Sequence, residues 1–342
     1  MSVEKKWNLP AVPSALRTRN PIREIVDKLT IVKGDKELIP LSIGDPTVFG
    51  NLKPPKCLAE SVSKCLIEGK SNGYPPATGY SKTRAAISAR FSHPKLPQPL
   101  DENDVVITSG CSGALELSLK VLAKEGDNFL LPRPGFSLYQ TICNHLGIEI
   151  RYYDLVPSRS WECDLTQMES RIDEKTRGIL INNPSNPCGS VFSRPHLLDI
   201  LSVAERNRVP ILSDEIYENM VFRGTEFHPI ASLSSEVPIL TVGGIAKQYL
   251  VPGWRVGWIL IHDRKNRFAS IREGLARLST LILGSNSLIQ AAIPEIFEKT
   301  PKEYYHNLNL TLEEQAMTCF KELSQIHSLR PIQPCGAMYI MV

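Results

Sequence analysis

No apolar run in this chain approaches the roughly 18 residues that a membrane-spanning helix requires. Lys and Arg form no block, and the net charge is only +3, which disfavours a dedicated nucleic-acid binder. The opening stretch MSVEKKWNLPAVPS lacks both the apolar centre and the cleavage-like site of a secretory leader. Arg17, Arg19 and Arg23 hint at a transit peptide, but Glu4, Glu24 and the early prolines weaken that reading. The 8 cysteines contain no C-x-x-C pair and lie among apolar and small residues. That pattern fits reduced thiols in a cytoplasmic protein better than a disulfide framework, with a mitochondrial location the lesser alternative. A zinc site would need closer clustering of cysteine with histidine. No G-x-G-x-x-G follows the first strands, which disfavours a nicotinamide-dependent dehydrogenase.

What the chain does contain is ordinary globular material: 342 residues, 42% hydrophobic and 22% charged, enough for one large domain and a smaller one. Residues 1–20 read as an irregular arm. NPIREIVDKL (20–29) starts a helix, with Asn20 as N-cap and Pro21 at the first helical position. ELIPLSIGDP (37–46) is strand-like. Between residues 100 and 262 short apolar runs recur: VVIT (105–108), FLL (129–131), ILI (179–181), ILS (211–213), ILTV (239–242) and WILI (258–261). Helical periodicity follows several of them, as in SGALELSLKVLA (112–123) and LLDILSVAERN (197–207). Almost wholly apolar strands alternating with helices predict an α/β protein with a mostly parallel central sheet flanked by helices. Residues 303–328 predict a long amphipathic helix, and GAMYIMV (336–342) a final strand.

In open α/β sheets ligands bind beyond the carboxyl ends of the strands. Five unusual segments stand there. Ser109-Gly110-Cys111 opens a helix after the first run, and its backbone N–H groups suit a phosphate. Phe136 follows the second run and can stack on an aromatic ring. NNPSNPCG (182–189) supplies Asn186, and Asp214-Glu215-Ile216-Tyr217 supplies a carboxylate and a phenol. Gly243-Gly244-Ile245-Ala246-Lys247 places a lysine in apolar company, where its pKa falls and its amine becomes nucleophilic. Arg255, eight residues on, can hold the phosphate. Asn186 and Tyr217 can donate to a phenolate oxygen, and Asp214 needs a cation. A phosphate, an aromatic ring, a ring cation, a phenolate and an aldehyde for an amine together describe pyridoxal 5′-phosphate. Lys247 then carries it as a Schiff base, with Asp214 keeping the ring nitrogen protonated.

Taken singly, each signal has a plainer reading. Lys247 can be a snorkelling surface residue, Asp214 a helix cap, NPSNPCG only a turn, and Phe136 ordinary core. Cys111 and Cys188 read as inert buried thiols.

AKQYLVPGWRVGW, SNPCG, SDEIY and SGCSGALEL resemble the signatures of the fold-type I aminotransferases, class I branch. LSIGDPTVFGN, LPRPGFSLY, NNPSNPCGSVF and PILSDEIY are most similar to members of that family that act on tyrosine. The resemblance runs from about residue 8 to Val342. It implies exchange of amino and oxo groups between L-tyrosine and 2-oxoglutarate, giving 4-hydroxyphenylpyruvate and glutamate, the first step of tyrosine degradation. Transamination of other aromatic amino acids and cysteine-conjugate β-lyase activity are the alternatives. Under this resemblance Lys247, Asp214 and Tyr217 are catalytic. Lys247, Asp214, Tyr217, Asn186, Phe136, Ser109, Gly110, Cys111 and Arg255 bind the cofactor. Tyr74, in NGYPPATGY, reaches the phosphate in the neighbouring subunit of a homodimer, and Gly44 and Asn186 face the substrate. Residues 51–302 form the large cofactor-binding domain, and 21–50 with 303–342 the small one.

Two departures stand out. Many relatives have serine three residues before the lysine, where this chain has Gly244. The family's small-domain arginine for the substrate α-carboxylate has no counterpart before Val342. An incomplete small domain is therefore expected, and a cofactor-binding but inactive or regulatory partner is a further alternative.

Overall fold

The computed structural model describes residues 9–29, 34, 35, 39, 41, 44–92, 96 and 98–342. Its centre is an eight-stranded sheet of β1 (Val105–Thr108), β2 (Asn128–Arg133), β3 (Glu149–Val156), β4 (Glu162–Cys163), β5 (Thr176–Asn182), β6 (Ile211–Asp214), β7 (Ile239–Gly244) and β8 (Gly257–His262). Across the sheet the order is β1-β8-β7-β6-β5-β2-β3-β4. The pairs β7·β6, β6·β5, β5·β2 and β2·β3 are parallel. β8 runs antiparallel between β7 and β1, and β4 closes the far edge antiparallel to β3. Because β8 is reversed on both sides, β1 points the same way as β7. The sheet is thus the mostly parallel one expected, with one reversed strand inside it.

All six predicted runs lie inside strands. Their alternate residues enter opposite faces, as a pleat requires. Phe129, Leu131, Leu180, Leu212, Leu240 and Val242 join a core beneath the helices Gly110–Leu122, Ser137–Leu146 and Ala269–Ser279. Leu130, Ile179, Ile181, Ile211 and Ile239 face the other side, against the helix Arg194–Arg206. With both faces covered, every residue of β6 and β7 is buried, and that is why these strands read as almost wholly apolar runs, broken only by Ser213, Asp214 and Thr241. β3 escaped the sequence reading because it lies near the sheet edge: half-exposed residues interrupt its apolar pattern.

The arm expected to be irregular holds a short helix, Pro13–Arg17. The helix predicted over 20–29 ends at Val26 rather than Leu29, capped as expected by Asn20, whose Oδ1 accepts from the Ile22 and Arg23 amides. The long helix runs Lys302–Ser324. The expected strand at 336–342 is absent. Ala337 takes a left-handed φ of 54° that breaks extended structure, and only isolated bridges join Gly336 to Val221 and Met341 to Ile332. Half of the strand expected over 37–46 lies outside the described residues, and the described half carries no strand. Among the described residues no helix is long and apolar enough to cross a membrane.

Candidate active site

Register aligns the strand ends. Thr108 faces Gly257, Gly257 faces Gly244, Val242 faces Asp214, and Asp214 faces Asn182. The segments that follow β1, β2, β5, β6 and β7 therefore emerge along one edge. The reversed β8 starts at that edge and delivers Arg255 to it from the opposite direction.

The β1 end builds a cradle. Gly110 opens its helix at φ +69°, a conformation in which glycine is unstrained. A Cβ on Gly110 would lie 2.5 Å from an Arg255 guanidinium nitrogen. A Cβ on Gly257 would lie 2.5 Å from the Cys111 amide nitrogen. Two missing side chains thus let a guanidinium and the first turn of a 13-residue helix converge. The Ser109 hydroxyl is exposed and makes no capping bond, which leaves the helix-start donors available to an anion. Arg255 is itself held by donating to the Pro252 carbonyl at 2.9 Å. The close approach also accounts for Gly244: a Cβ there would sit 2.9 Å from the Val256 carbonyl oxygen, so a serine would require a backbone shift.

Asp214, at the end of β6, is buried. Its Oδ2 accepts from the Tyr139 hydroxyl at 2.7 Å, and its Oδ1 from the Ile216 amide at 3.2 Å and the Cys111 thiol at 3.7 Å. These donors are neutral. Burial raises the Asp214 pKa, and the hydrogen bonds oppose that rise. The carboxylate is thus a buried acceptor suited to a cationic N–H. Cys111 spans the cradle and this carboxylate. Burial and the Asp214 charge hold its pKa well above the ordinary thiol value, so the thiol stays protonated as expected.

Lys247 lies on the turn after β7. Its Nζ donates to the Gly44 carbonyl at 2.8 Å and stands 5.7 Å from the Tyr217 ring centroid. Burial lowers its pKa, with Asp45 and Asp214 pulling the other way. Phe136 is half-buried, edge-on to Tyr139 at 5.6 Å between centroids. Asn186 is half-buried, its backbone N–H donating to Asn182 Oδ1. Tyr217 is buried, its hydroxyl 2.6 Å from that of Tyr339. Tyr74 stands apart, 86% exposed.

Sequence reasoning overlooked three groups here. Tyr139 follows Phe136 by one helical turn, a spacing that could have flagged it. Tyr339 and Asp45 offered no local signal, since each reaches the site through long-range packing.

The neighbouring Glu215 points away from Asp214 into the core. It accepts from Ser213 Oγ at 2.9 Å and the Ile230 amide at 3.3 Å. Burial, then the Glu218 charge, pushes its pKa up to about 8. A folded-state pKa above the unfolded value makes the folded form bind the extra proton. The associated stability is present at low pH and lost as pH rises through about 8. Glu215→Gln is expected to flatten this loss, read as denaturant midpoints across that window. Curves parallel to wild type would contradict the assignment.

The fold and this edge together define an aminotransferase: the class I and II aminotransferase family model matches residues 36–342, and the chain belongs to that family. Within it, the chain is 51% identical to the tyrosine aminotransferase of Bos taurus over 343 residues, 100% of this chain and 76% of that protein. It is 44% identical to the tyrosine aminotransferase of Dictyostelium discoideum, covering 99% of this chain and 82% of the other. The solved tyrosine aminotransferase of Leishmania infantum superposes with a TM-score of 0.93 at 37% identity, over 97% of this chain and 82% of that one.

Proposed function

We propose that the chain transaminates L-tyrosine with 2-oxoglutarate, using pyridoxal 5′-phosphate held at the strand-end edge. The observation that carries this reading is the convergence of a desolvated Lys247, a buried Asp214 served only by neutral donors, and the Arg255–Gly110 cradle. The substrate pair follows from similarity to the tyrosine aminotransferases. When bound, this cofactor supplies an aldehyde open to amines and a protonated ring that accepts electrons.

Each residue then has a physical task. Ser109, Gly110 and Cys111 offer helix-start donors to the phosphate, and Arg255 adds a charge-assisted pair. Asp214 would accept from the ring N–H and neutralise its charge. Phe136 would lie against the ring and exclude water, while Tyr217 and Asn186 would donate to the ring's oxygen anion. Lys247 Nζ, with its charged form disfavoured by burial, is the amine that would hold the cofactor through its aldehyde. The same amine, when free, would be the base for the proton on the substrate α-carbon. Gly44 and Asn186 face the substrate.

A homodimer belongs to the same reading. Tyr74 is exposed, and Leu281, Ile282 and Leu283 stand 71%, 59% and 55% exposed on a loop whose Gly284 lies against Pro75 and Pro76. Such an apolar patch fits a twofold partner. The same reading divides the chain into a large domain (51–302) and a small one (21–50 with 303–342). The 8 free cysteines fit a cytoplasmic location.

The test is a half-reaction. With the purified chain loaded with pyridoxal phosphate, L-tyrosine alone should convert the bound cofactor to its amine form and release one equivalent of 4-hydroxyphenylpyruvate. Addition of 2-oxoglutarate should restore the original spectrum. Cofactor uptake with no spectral response to tyrosine would refute the proposal.

A further inference from the structure

Tyr339 lies in the C-terminal segment, far along the chain from every strand end. Its hydroxyl is 2.6 Å from that of Tyr217, and the two rings meet edge-to-face with centroids 5.7 Å apart. The backbone on both sides makes room for it. A Cβ on Gly44 would sit 2.4 Å from the Tyr339 hydroxyl oxygen, and one on Gly189 would sit 2.4 Å from its carbonyl oxygen. The Gly44 carbonyl also receives the Lys247 ammonium. Tyr339 is therefore wedged between the phenol and the backbone that holds the lysine.

A hydroxyl carries one hydrogen and two lone pairs. In this pair either oxygen can be the donor. If Tyr217 donates to Tyr339, it has no hydrogen left for a ligand. If Tyr339 donates, the Tyr217 hydrogen is free, and the accepted bond polarises it into a stronger donor. The groups around the pair are the Lys247 ammonium 5.7 Å from the Tyr217 ring centroid, the Asp214 carboxylate and the Cys111 thiol, with Asp45 acting on Lys247. An anion at Tyr217 would have to compete with none of these for its hydrogen, only with Tyr339.

We propose that Tyr339 is a positioning residue: by donating its hydroxyl hydrogen to Tyr217 Oη, it commits the Tyr217 hydrogen to the oxygen anion of the bound ring. The inference rests on the function proposed above. Burial keeps both phenols protonated over the working range, so the pair always holds the two hydrogens this arrangement needs.

The test compares wild type, Tyr339→Phe, Tyr217→Phe and the double variant, each loaded with pyridoxal phosphate. Phenylalanine keeps the ring contact and removes only the hydroxyl. The readout is the pH at which the absorbance of the bound cofactor titrates. A ring oxygen with weaker donors holds the proton it shares with its neighbour more tightly, so titration moves upward. Tyr339→Phe should raise the midpoint by roughly half a pH unit, Tyr217→Phe should raise it further, and the double variant should match Tyr217→Phe. A role limited to packing would leave the midpoint in place. A Tyr339→Phe midpoint equal to wild type would overturn the proposal, as would a shift of the same size in the Tyr217→Phe background. Failure of wild type to take up the cofactor at all would instead overturn the function on which the proposal depends.

Discussion

Lys247→Ala is expected to lower turnover by at least about 10,000-fold, because one side chain supplies both the nucleophile and the proton carrier. The fold should tolerate the change. The ammonium is half-buried and bonded to one backbone carbonyl, so its removal takes away a partly desolvated charge and leaves the Gly44 carbonyl to be satisfied by water. Melting temperature should therefore stay near that of wild type while product formation from tyrosine disappears. Borohydride reduction of the loaded wild-type chain should place the pyridoxyl group on Lys247 alone. Turnover within tenfold of wild type in the variant, or a label on another lysine, would remove the basis of the proposed chemistry.

Asp214→Asn is expected to slow the half-reaction with tyrosine by roughly 100–1,000-fold, the usual cost of removing one preorganised electrostatic contact. Asparagine keeps the shape: its single carbonyl oxygen can accept from the Ile216 amide while its NH2 group donates to the Tyr139 hydroxyl oxygen, but it cannot neutralise a protonated ring. Cofactor retention should fall much less than the rate, since the phosphate cradle is built elsewhere, from Gly110, Gly257 and Arg255. Rapid mixing with tyrosine gives the rate, and equilibrium dialysis gives the retention. Equal losses in both would show that Asp214 serves binding rather than chemistry.

Legibility in the sequence followed physical distance along the chain. β6 and β7 were readable because burial on both faces keeps their first residues almost wholly apolar, and the segments after them because a strand must end before a ligand can be met. β3 was not readable, since half-exposure near the sheet edge lets polar residues in. The 336–342 segment read as a strand on local composition alone, whereas its backbone turns at Ala337. Tyr139 lay within reach of a helical-spacing argument. Tyr339 did not: the partner of a hydroxyl is set by packing between distant segments, and nothing in GAMYIMV indicates Tyr217.

The amino-acid sequence by itself determined which chemical groups stand at strand ends, because apolar runs, glycines and the residues that follow them are local properties. It thereby determined the family and the candidate lysine, carboxylate, phenol and guanidinium. Only the tertiary structure decided how those groups meet. The reversal of β8 carries Arg255 back against Gly110, and long-range packing gives Asp214 its Tyr139 donor and Tyr217 its Tyr339 partner. Hydrogen-bond partners and desolvation depend on which surfaces come together, and strand order and direction, not local spacing, set that.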